Sequence, residues 1–215
     1  MTILAPSENR IVLDDIEWDT FVELSSQRRG SVPRMTYDRG LLELMSPLRQ
    51  HEKIGCFVGR LVETYTEVMS IEIESVASTT FKRKDLQKAF EADESYYVQH
   101  AELIRVKAEV DLAIDPPPDL VIEVEITSSA IRKLELFAAM GVPEVWRHDG
   151  DQLEMYRLMD HRYQQILVSD AIPGLTASTI NAILANRFSQ GETALIREFR
   201  RTLMVLPPPG SEPSE

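Results

Sequence analysis

The sequence predicts an α/β fold, a mixed sheet flanked by helices. Residues 119–126 alternate apolar side chains with acidic ones, which is the pattern of a strand. Residues 130–140 have the apolar spacing of a helix that ends at Gly141, and residues 143–147 are again strand-like. The order of strand, short loop, helix and strand is typical of a crossover connection in an α/β sheet.

The predicted strand at residues 119–126 carries Glu123 and Glu125 on one face. A strand inside a crossover unit is usually buried on both faces, so desolvating two carboxylates there costs several kcal/mol unless a cation compensates. A divalent metal ion is the natural cation for this purpose. The alternative is an antiparallel or edge strand whose glutamates contact water. The residue pattern alone favours neither interpretation.

Elements are also predicted on both sides of this unit. A β-hairpin is expected at 34–38 and 41–45, a long helix from Ser46 to about Met69, and a second β-hairpin at 143–147 and 153–158. Shorter elements are a helix at 14–24, strands at 71–75, 78–82, 93–98 and 163–168, and a helix at 178–203 interrupted near Gly191. Residues up to Arg10 and the proline-rich tail at 207–215 are expected to be disordered, and residues 83–91 to form a charged connection.

The length of 215 residues fits one domain with peripheral additions. The expected organisation is an N-terminal extension at 1–32, a central domain at 33–168, a C-terminal helical extension at 169–205 and a disordered tail at 206–215. No apolar run reaches the roughly 20 residues that span a bilayer, and the N-terminus lacks the pattern of a signal peptide. These features predict a cytoplasmic protein without membrane contact.

The net charge and the cysteine content exclude some classes of function and of binding site. The formal net charge of −12 argues against general binding of polyanions, so any contact with nucleic acid is expected to be local. The single cysteine, Cys56, excludes an intrachain disulfide and a cysteine-rich zinc site. Its apolar, helical neighbourhood predicts a buried small hydrophobic residue rather than a nucleophile.

Several segments, taken in order, resemble a known family. They are Leu42-Glu43-Leu44-Met45-Ser46-Pro47 followed by His51-Glu52, the acidic segment 91–97, the segment 117–124, Lys133-Leu134-Glu135-Leu136, and Gly141-Val142-Pro143-Glu144-Val145-Trp146. From about Pro33 to Leu158, the chain resembles the Uma-type restriction endonuclease family of the PD-(D/E)XK nuclease superfamily. It departs from the family pattern at Ala92, where a proline usually precedes the aspartate.

The resemblance implies a restriction-endonuclease-like core in which Asp93 and Glu123, from neighbouring strands, hold Mg²⁺ or Mn²⁺. Lys133, one turn into the following helix, would polarise the attacking water or the scissile phosphate. Glu125 stands where the superfamily usually has lysine, and it would be a lesser ligand or an acceptor for metal-bound water. The implied fold has an N-terminal hairpin and a C-terminal extension of a β-hairpin and a helix.

Other polar residues near these motifs have weaker claims to the site. Three residues could form an outer acidic rim or orient the water of a second metal ion, although each is more simply structural: Glu43, Glu52 and His51. In the simpler interpretation, Glu43 faces solvent on its hairpin. Asp119 follows Pro118, and the two residues match the letters PD in the name of the superfamily. Asp119 lies about 13 Å from Glu123 along the same strand, however, which is too far for the two carboxylates to share one ion. Asp111 is the reserve candidate for the second carboxylate, and its alternative is an exposed loop acid.

These implications favour a metal-dependent DNA endonuclease that hydrolyses phosphodiester bonds. One alternative is a nuclease-fold protein without catalysis, acting as an interaction or DNA-binding module. Another is a small-molecule phosphodiesterase, which would suit the acidic net charge. By fold-level analogy, cutting both strands of a duplex is achieved most simply by a homodimer.

Overall fold

The computed structural model describes residues 8–205, which form two β-sheets and six helices. The strands are β1 (Asn9–Leu13), β2 (Arg34–Asp38), β3 (Leu41–Ser46), β4 (Glu74–Ser75), β5 (Phe81–Arg83), β6 (Lys88–Phe90), β7 (Glu94–Tyr97), β8 (Leu120–Val124), β9 (Glu144–His148), β10 (Leu153–Met159) and β11 (Arg162–Ile166). The helices are α1 (Trp18–Gln27), α2 (Arg49–Met69), α3 (Ala101–Arg105), α4 (Lys133–Ala139), α5 (Ala177–Leu184) and α6 (Glu192–Leu203). None of these helices from the described part of the chain has the length and apolar character needed to cross a membrane.

The first sheet is antiparallel and has the order β1-β3-β2-β6-β5. Its centre is the predicted hairpin of β2 and β3, whose turn has Arg39 and Gly40 at φ values of 47° and 95°. Such a turn matches the twist of the two strands, and glycine adopts a positive φ without steric cost. Two expectations are wrong here. Residues 9 and 10 belong to β1 rather than to a disordered start, and β6 lies within the expected charged connection.

The second sheet is mixed and has the order β11-β10-β9-β8-β7-β4. Strand β8 is parallel to β9 and antiparallel to β7, and all five of its residues are buried. The interpretation of β8 as a strand buried on both faces is therefore correct, and the alternative interpretation as an edge strand with a solvated face is wrong. The predicted hairpin is confirmed as β9 and β10, and β11 extends it.

Strand β8 separates two hydrophobic cores. Leu120, Ile122 and Val124 belong to a core that includes α2, α5 and α6, whereas Val121 belongs to a core that includes α3 and α4. Because side chains alternate along a strand, Glu123 shares the face of Val121 and points toward α4. This alternation is how the fold aims an acidic residue at the helix that carries the predicted lysine.

Some local expectations are wrong. Helix α4 begins at Lys133 rather than at residue 130, and its N-cap residue, Arg132, makes no side-chain capping bond. The predicted capping residues 127–129 do not cap it, and Ser129 instead donates to Glu43. Cys56 is exposed on α2 rather than buried. The predicted C-terminal interruption is confirmed, because α5 and α6 are separate helices, and the expected disorder at 1–7 and 207–215 lies outside the described residues.

Candidate active site

Two neighbouring strands, β7 and β8, bring Asp93 next to Glu123. Asp93 immediately precedes β7, in which Glu94 pairs with Ile122, so the next position of the antiparallel register is Glu123. Both side chains are buried, and Oδ2 of Asp93 accepts a 2.6 Å hydrogen bond from the backbone N–H of Val124. The strand pairing therefore brings together the two carboxylates that the resemblance implied. Their role as metal ligands remains a prediction.

Lys133 reaches back from α4 to β8. Its Nζ donates to Oε1 of Glu123, and both side chains are buried. The other carboxylate oxygen, Oε2 of Glu123, is also buried but has no hydrogen-bond partner among the described residues. The alternative of an exposed surface lysine is wrong. A free oxygen on a buried carboxylate is a position where a further cation would be stabilised.

His51 contacts Asp93 from α2. Nε2 of His51 lies 2.7 Å from Oδ1 of Asp93, and its Nδ1 contacts the buried carboxylate of Glu8. Burial lowers the pKa of His51, while the charges of Glu123 and Glu8 oppose that change. Both contacts can be hydrogen bonds only if Glu8, His51 and Asp93 together hold two protons, and a neutral imidazole supplies only one N–H. The second proton then lies on the imidazole ring or on one of the two carboxyl groups. The placement of His51 in an outer rim is therefore wrong.

Arg34 also contacts Asp93, from strand β2. Its guanidinium contacts Oδ1 of Asp93 and donates to Glu52 over 2.8 Å. The Glu52 side chain is 42% exposed, so Glu52 lies at the periphery of the site. Arg34 was not among the predicted site residues, because nothing in the hairpin pattern distinguishes it from a surface arginine.

Glu43 is buried, contrary to the simpler expectation that it faces solvent on its hairpin. Its carboxylate accepts hydrogen bonds from Oγ of Ser129 at 2.9 Å and from the backbone N–H of Ala130 at 2.7 Å. The guanidinium of Arg10 also pairs with it. Glu43 therefore fixes the loop that leads into α4 and thereby the start of the helix that carries Lys133.

Glu125 has a different environment from Glu123. It is partly exposed and pairs with Nε of Arg147 at 2.8 Å. The two glutamates thus have separate cationic partners.

Asp119, at the other end of β8, is buried and accepts hydrogen bonds from His100 and from the backbone of Val98. These contacts explain Asp119 as a structural residue, in agreement with its exclusion from the site.

Asp111 is exposed and accepts a local hydrogen bond from the backbone N–H of Ala113, which fits an exposed loop acid.

A cavity of about 160 Å³ lies beside Asp93, and its lining includes Arg34, Cys56 and Glu94. Burial raises the pKa of Glu94 to about 7, and the charge of Glu63 adds to the effect. The cavity gives a solvent path to one of the two central carboxylates.

The donor set of the site fits a hard cation. Four buried carboxylates are faced by two arginines and one lysine: Glu8, Glu43, Asp93 and Glu123 by Arg10, Arg34 and Lys133. Residues 8–205 contain no group of three His, Cys, Asp or Glu side chains arranged to hold a metal ion. Mg²⁺ typically uses only one or two protein carboxylates and completes its shell with water and phosphate. Asp93 and Glu123 would be the two protein ligands of such an ion, and Oε2 of Glu123 is a buried donor atom without a partner among the described residues.

The mixed sheet, its flanking helices and the buried carboxylate pair with a lysine define the class of nuclease-like folds. Residues 18–184 match the family model Uma2, described as "Putative restriction endonuclease", and the chain belongs to this family. Its fold is similar to the crystal structure of a putative nuclease of DUF820 from Anabaena variabilis, with a TM-score of 0.55 and 14% identity over 78% of this chain and 98% of that one. None of the curated proteins matches the chain. Family and fold together support a nuclease.

Proposed function

We propose that the protein is a metal-dependent DNA endonuclease that hydrolyses phosphodiester bonds. The observation that carries the proposal is the position of Asp93, which immediately precedes β7 and accepts a hydrogen bond from the backbone of Val124, next to Glu123 of β8 and its partner Lys133. Family membership supports nucleic acid as the substrate. The buried free oxygen of Glu123 supports a hard divalent cation, Mg²⁺ or Mn²⁺, as the cofactor.

Each residue of the site has a distinct task in this proposal. Asp93 and Glu123 would hold the metal ion, which when bound lowers the pKa of a water molecule and offsets charge on the phosphate. Lys133 stabilises the negative charge that develops on the phosphate, because its ammonium group is held in a buried site. Glu125 would accept a hydrogen bond from water at the periphery, since each of its oxygens has a second lone pair beside its bond from Nε of Arg147 or from the backbone N–H of Ser129.

Calorimetric titration with Mg²⁺ and Mn²⁺, followed by nicking of supercoiled plasmid, tests this proposal. Binding of either ion together with ion-dependent nicking is the expected result. Nicking that persists in a chelator would contradict the metal dependence. Protein that binds neither ion and does not cleave would instead be a nuclease-fold interaction or DNA-binding module.

A small-molecule phosphodiesterase is the second candidate. The formal net charge of −12 favours it, because long duplex DNA would be repelled by an acidic protein except at a local basic patch. The cavity beside Asp93, of about 160 Å³, would admit a small phosphodiester. Turnover of bis(p-nitrophenyl) phosphate without plasmid nicking would favour this candidate, and nicking would favour the endonuclease.

The assembly and location of the proposed endonuclease follow from its substrate. A homodimer would bring two sites to the two strands of a duplex. Light scattering of the purified protein, alone and with a short duplex, measures this directly. A cytoplasmic location agrees with a DNA substrate, and fractionation of the source cells would test it.

A further inference from the structure

Two residues, one just before β1 and one within it, contact the side chains that surround the proposed catalytic centre, and both lie outside the region that matches the family model. The match begins at residue 18, whereas Glu8 and Arg10 precede it. The Glu8 side chain is 0% exposed. A buried carboxylate is costly unless it is paired, so the partners of Glu8 indicate what the strand contributes.

Glu8 lies at the end of a chain of three buried side chains. Its Oε1 contacts Nδ1 of His51, and Nε2 of His51 contacts Oδ1 of Asp93 at 2.7 Å. An imidazole that is held at both nitrogens has a fixed ring orientation. The contact with Glu8 therefore determines how His51 meets the Asp93 carboxylate, as the outer partners of metal-binding groups commonly do.

Arg10 connects this chain to the other half of the site. Its guanidinium donates to Oε2 of Glu8 at 2.7 Å and also pairs with Glu43. Glu43 in turn holds the loop 127–130, which leads to Lys133. A single arginine of β1 therefore links the carboxylate behind Asp93 to the loop that positions the lysine.

We propose that Glu8 is a positioning residue of the active site: through His51, it fixes the Asp93 carboxylate in the orientation that holds the metal ion. The inference rests on the proposed function, because it requires Asp93 to bind a metal ion. Glu8 contacts neither Glu123 nor the cavity beside Asp93, so its influence on metal binding is indirect. Loss of such an outer partner typically weakens metal affinity by about 10–100-fold.

The test compares Glu8→Gln with Asp14→Asn, an equivalent acid-to-amide change at an exposed position just after β1. Mn²⁺ affinity by calorimetry, thermal unfolding, and kcat and KM for plasmid nicking are measured on the same preparations. Glu8→Gln should bind Mn²⁺ about 10–100-fold more weakly and lose kcat, with the KM for DNA within about twofold of wild type. Asp14→Asn should match wild type in each measurement.

A folded Glu8→Gln protein with wild-type Mn²⁺ affinity would overturn the inference and leave the proposed function intact. Wild-type protein that binds no Mn²⁺ would overturn both. If Glu8→Gln does not fold, Thr127→Val replaces it, because Oγ1 of Thr127 donates to Oε2 of Glu8 at 2.5 Å. Thr127→Val should weaken Mn²⁺ binding by about threefold to tenfold, and Thr127→Ser should restore it. Wild-type affinity in Thr127→Val would equally overturn the inference.

Discussion

Lys133 and Glu123 form a buried ion pair where α4 meets β8. Nζ of Lys133 donates to Oε1 of Glu123, and the two side chains are 7% and 3% exposed. Removing one partner of a buried pair leaves an uncompensated charge and is strongly destabilising. Substitutions at either residue are therefore expected to change both stability and catalysis, and each experiment must separate the two.

Glu123→Gln should abolish metal-dependent nicking, because it keeps the side-chain shape but removes an anionic ligand. The sequence alone suggests that the change relieves repulsion with Glu125. The structure reverses this expectation, because Glu125 pairs with Arg147 and Lys133 would lose its carboxylate. We expect the metal-free variant to lose about 1–3 kcal/mol of unfolding free energy, measured in urea.

Asp111→Asn is the matched control for Glu123→Gln, since Asp111 is an exposed acid. It should retain both stability and nicking. Cleavage by Glu123→Gln at ordinary Mg²⁺ concentrations would remove Glu123 from the mechanism. An unchanged or increased unfolding free energy would contradict the argument from the ion pair.

Lys133→Met should lose turnover by about 10²-fold or more while still binding Mn²⁺, because Glu123 and Asp93 remain. The metal ion would also supply the cation that Glu123 has lost. Mn²⁺ should therefore raise the melting temperature of Lys133→Met more than that of wild type. Lys53→Met, at an exposed position on α2, is the control and should behave as wild type. Near-normal nicking by Lys133→Met would leave Glu125 and the metal ion as the catalytic apparatus.

The strand, loop and helix of the central unit could be predicted because the information for them is local. The alternation in β8 predicts which of its side chains share a face, whereas the position of Lys133 beside Glu123 was implied by the family resemblance and not by the helix period. The hairpin of β2 and β3 and the break between α5 and α6 were likewise predicted from turn residues. The predicted domain boundaries, by contrast, remain a prediction.

The supporting residues could not be predicted because their contacts join distant parts of the chain. Glu8 lies 43 residues from His51 in sequence, and Arg10 lies 33 residues from Glu43. Glu43 was expected to face solvent, because alternation along a hairpin does not reveal which face a later loop will cover. Cys56 was expected to be buried because its neighbours on the helix are apolar, yet it faces the surface.

Arg34→Gln should raise the affinity of the protein for Mn²⁺. The guanidinium of Arg34 contacts Asp93, so it repels a second cation at the same carboxylate. A neighbouring charge changes ion binding to a carboxylate by about tenfold or more, the scale on which it shifts a carboxyl pKa. Calorimetry with Arg39→Gln as the control tests this, since Arg39 is exposed on the same hairpin. Weaker Mn²⁺ binding by Arg34→Gln would mean that Arg34 orients Asp93 instead of competing at it.

His148 should make stability depend on pH. Burial, followed by the charge of Arg187, lowers the pKa of His148 from 6.5 to about 4. Between these values the unfolded chain binds a proton that the folded chain does not, so stability falls as the pH decreases from 6.5 toward 4. The loss amounts to about 3 kcal/mol and is absent above pH 6.5.

His148→Asn isolates this contribution, because an asparagine oxygen can replace the Nδ1 that accepts from the backbone N–H of Gly150. Urea unfolding at pH 7.5 and pH 5 gives the difference for each protein. Wild type should lose more stability than His148→Asn over this range. The raised pKa of Glu94 has the opposite effect, because it increases stability as the pH falls. Both proteins contain Glu94, so its contribution cancels when they are compared. Equal losses in the two proteins would contradict the prediction.

Cys56 should be a single accessible thiol whose modification blocks the site. It is exposed on α2, and it lines the cavity that also contains Asp93. Partial desolvation of the thiol group by its neighbours and the charges of Glu94 and Glu52 raise its pKa, so labelling should be slow at pH 7 and faster at pH 8.5. A bulky maleimide should add once per chain in native buffer, as measured by mass spectrometry, and should abolish nicking by obstructing access to Asp93. Cys56→Ser should nick DNA normally with and without the reagent. Labelling only in denaturant, or a fully labelled protein with unchanged nicking, would contradict this account of the cavity.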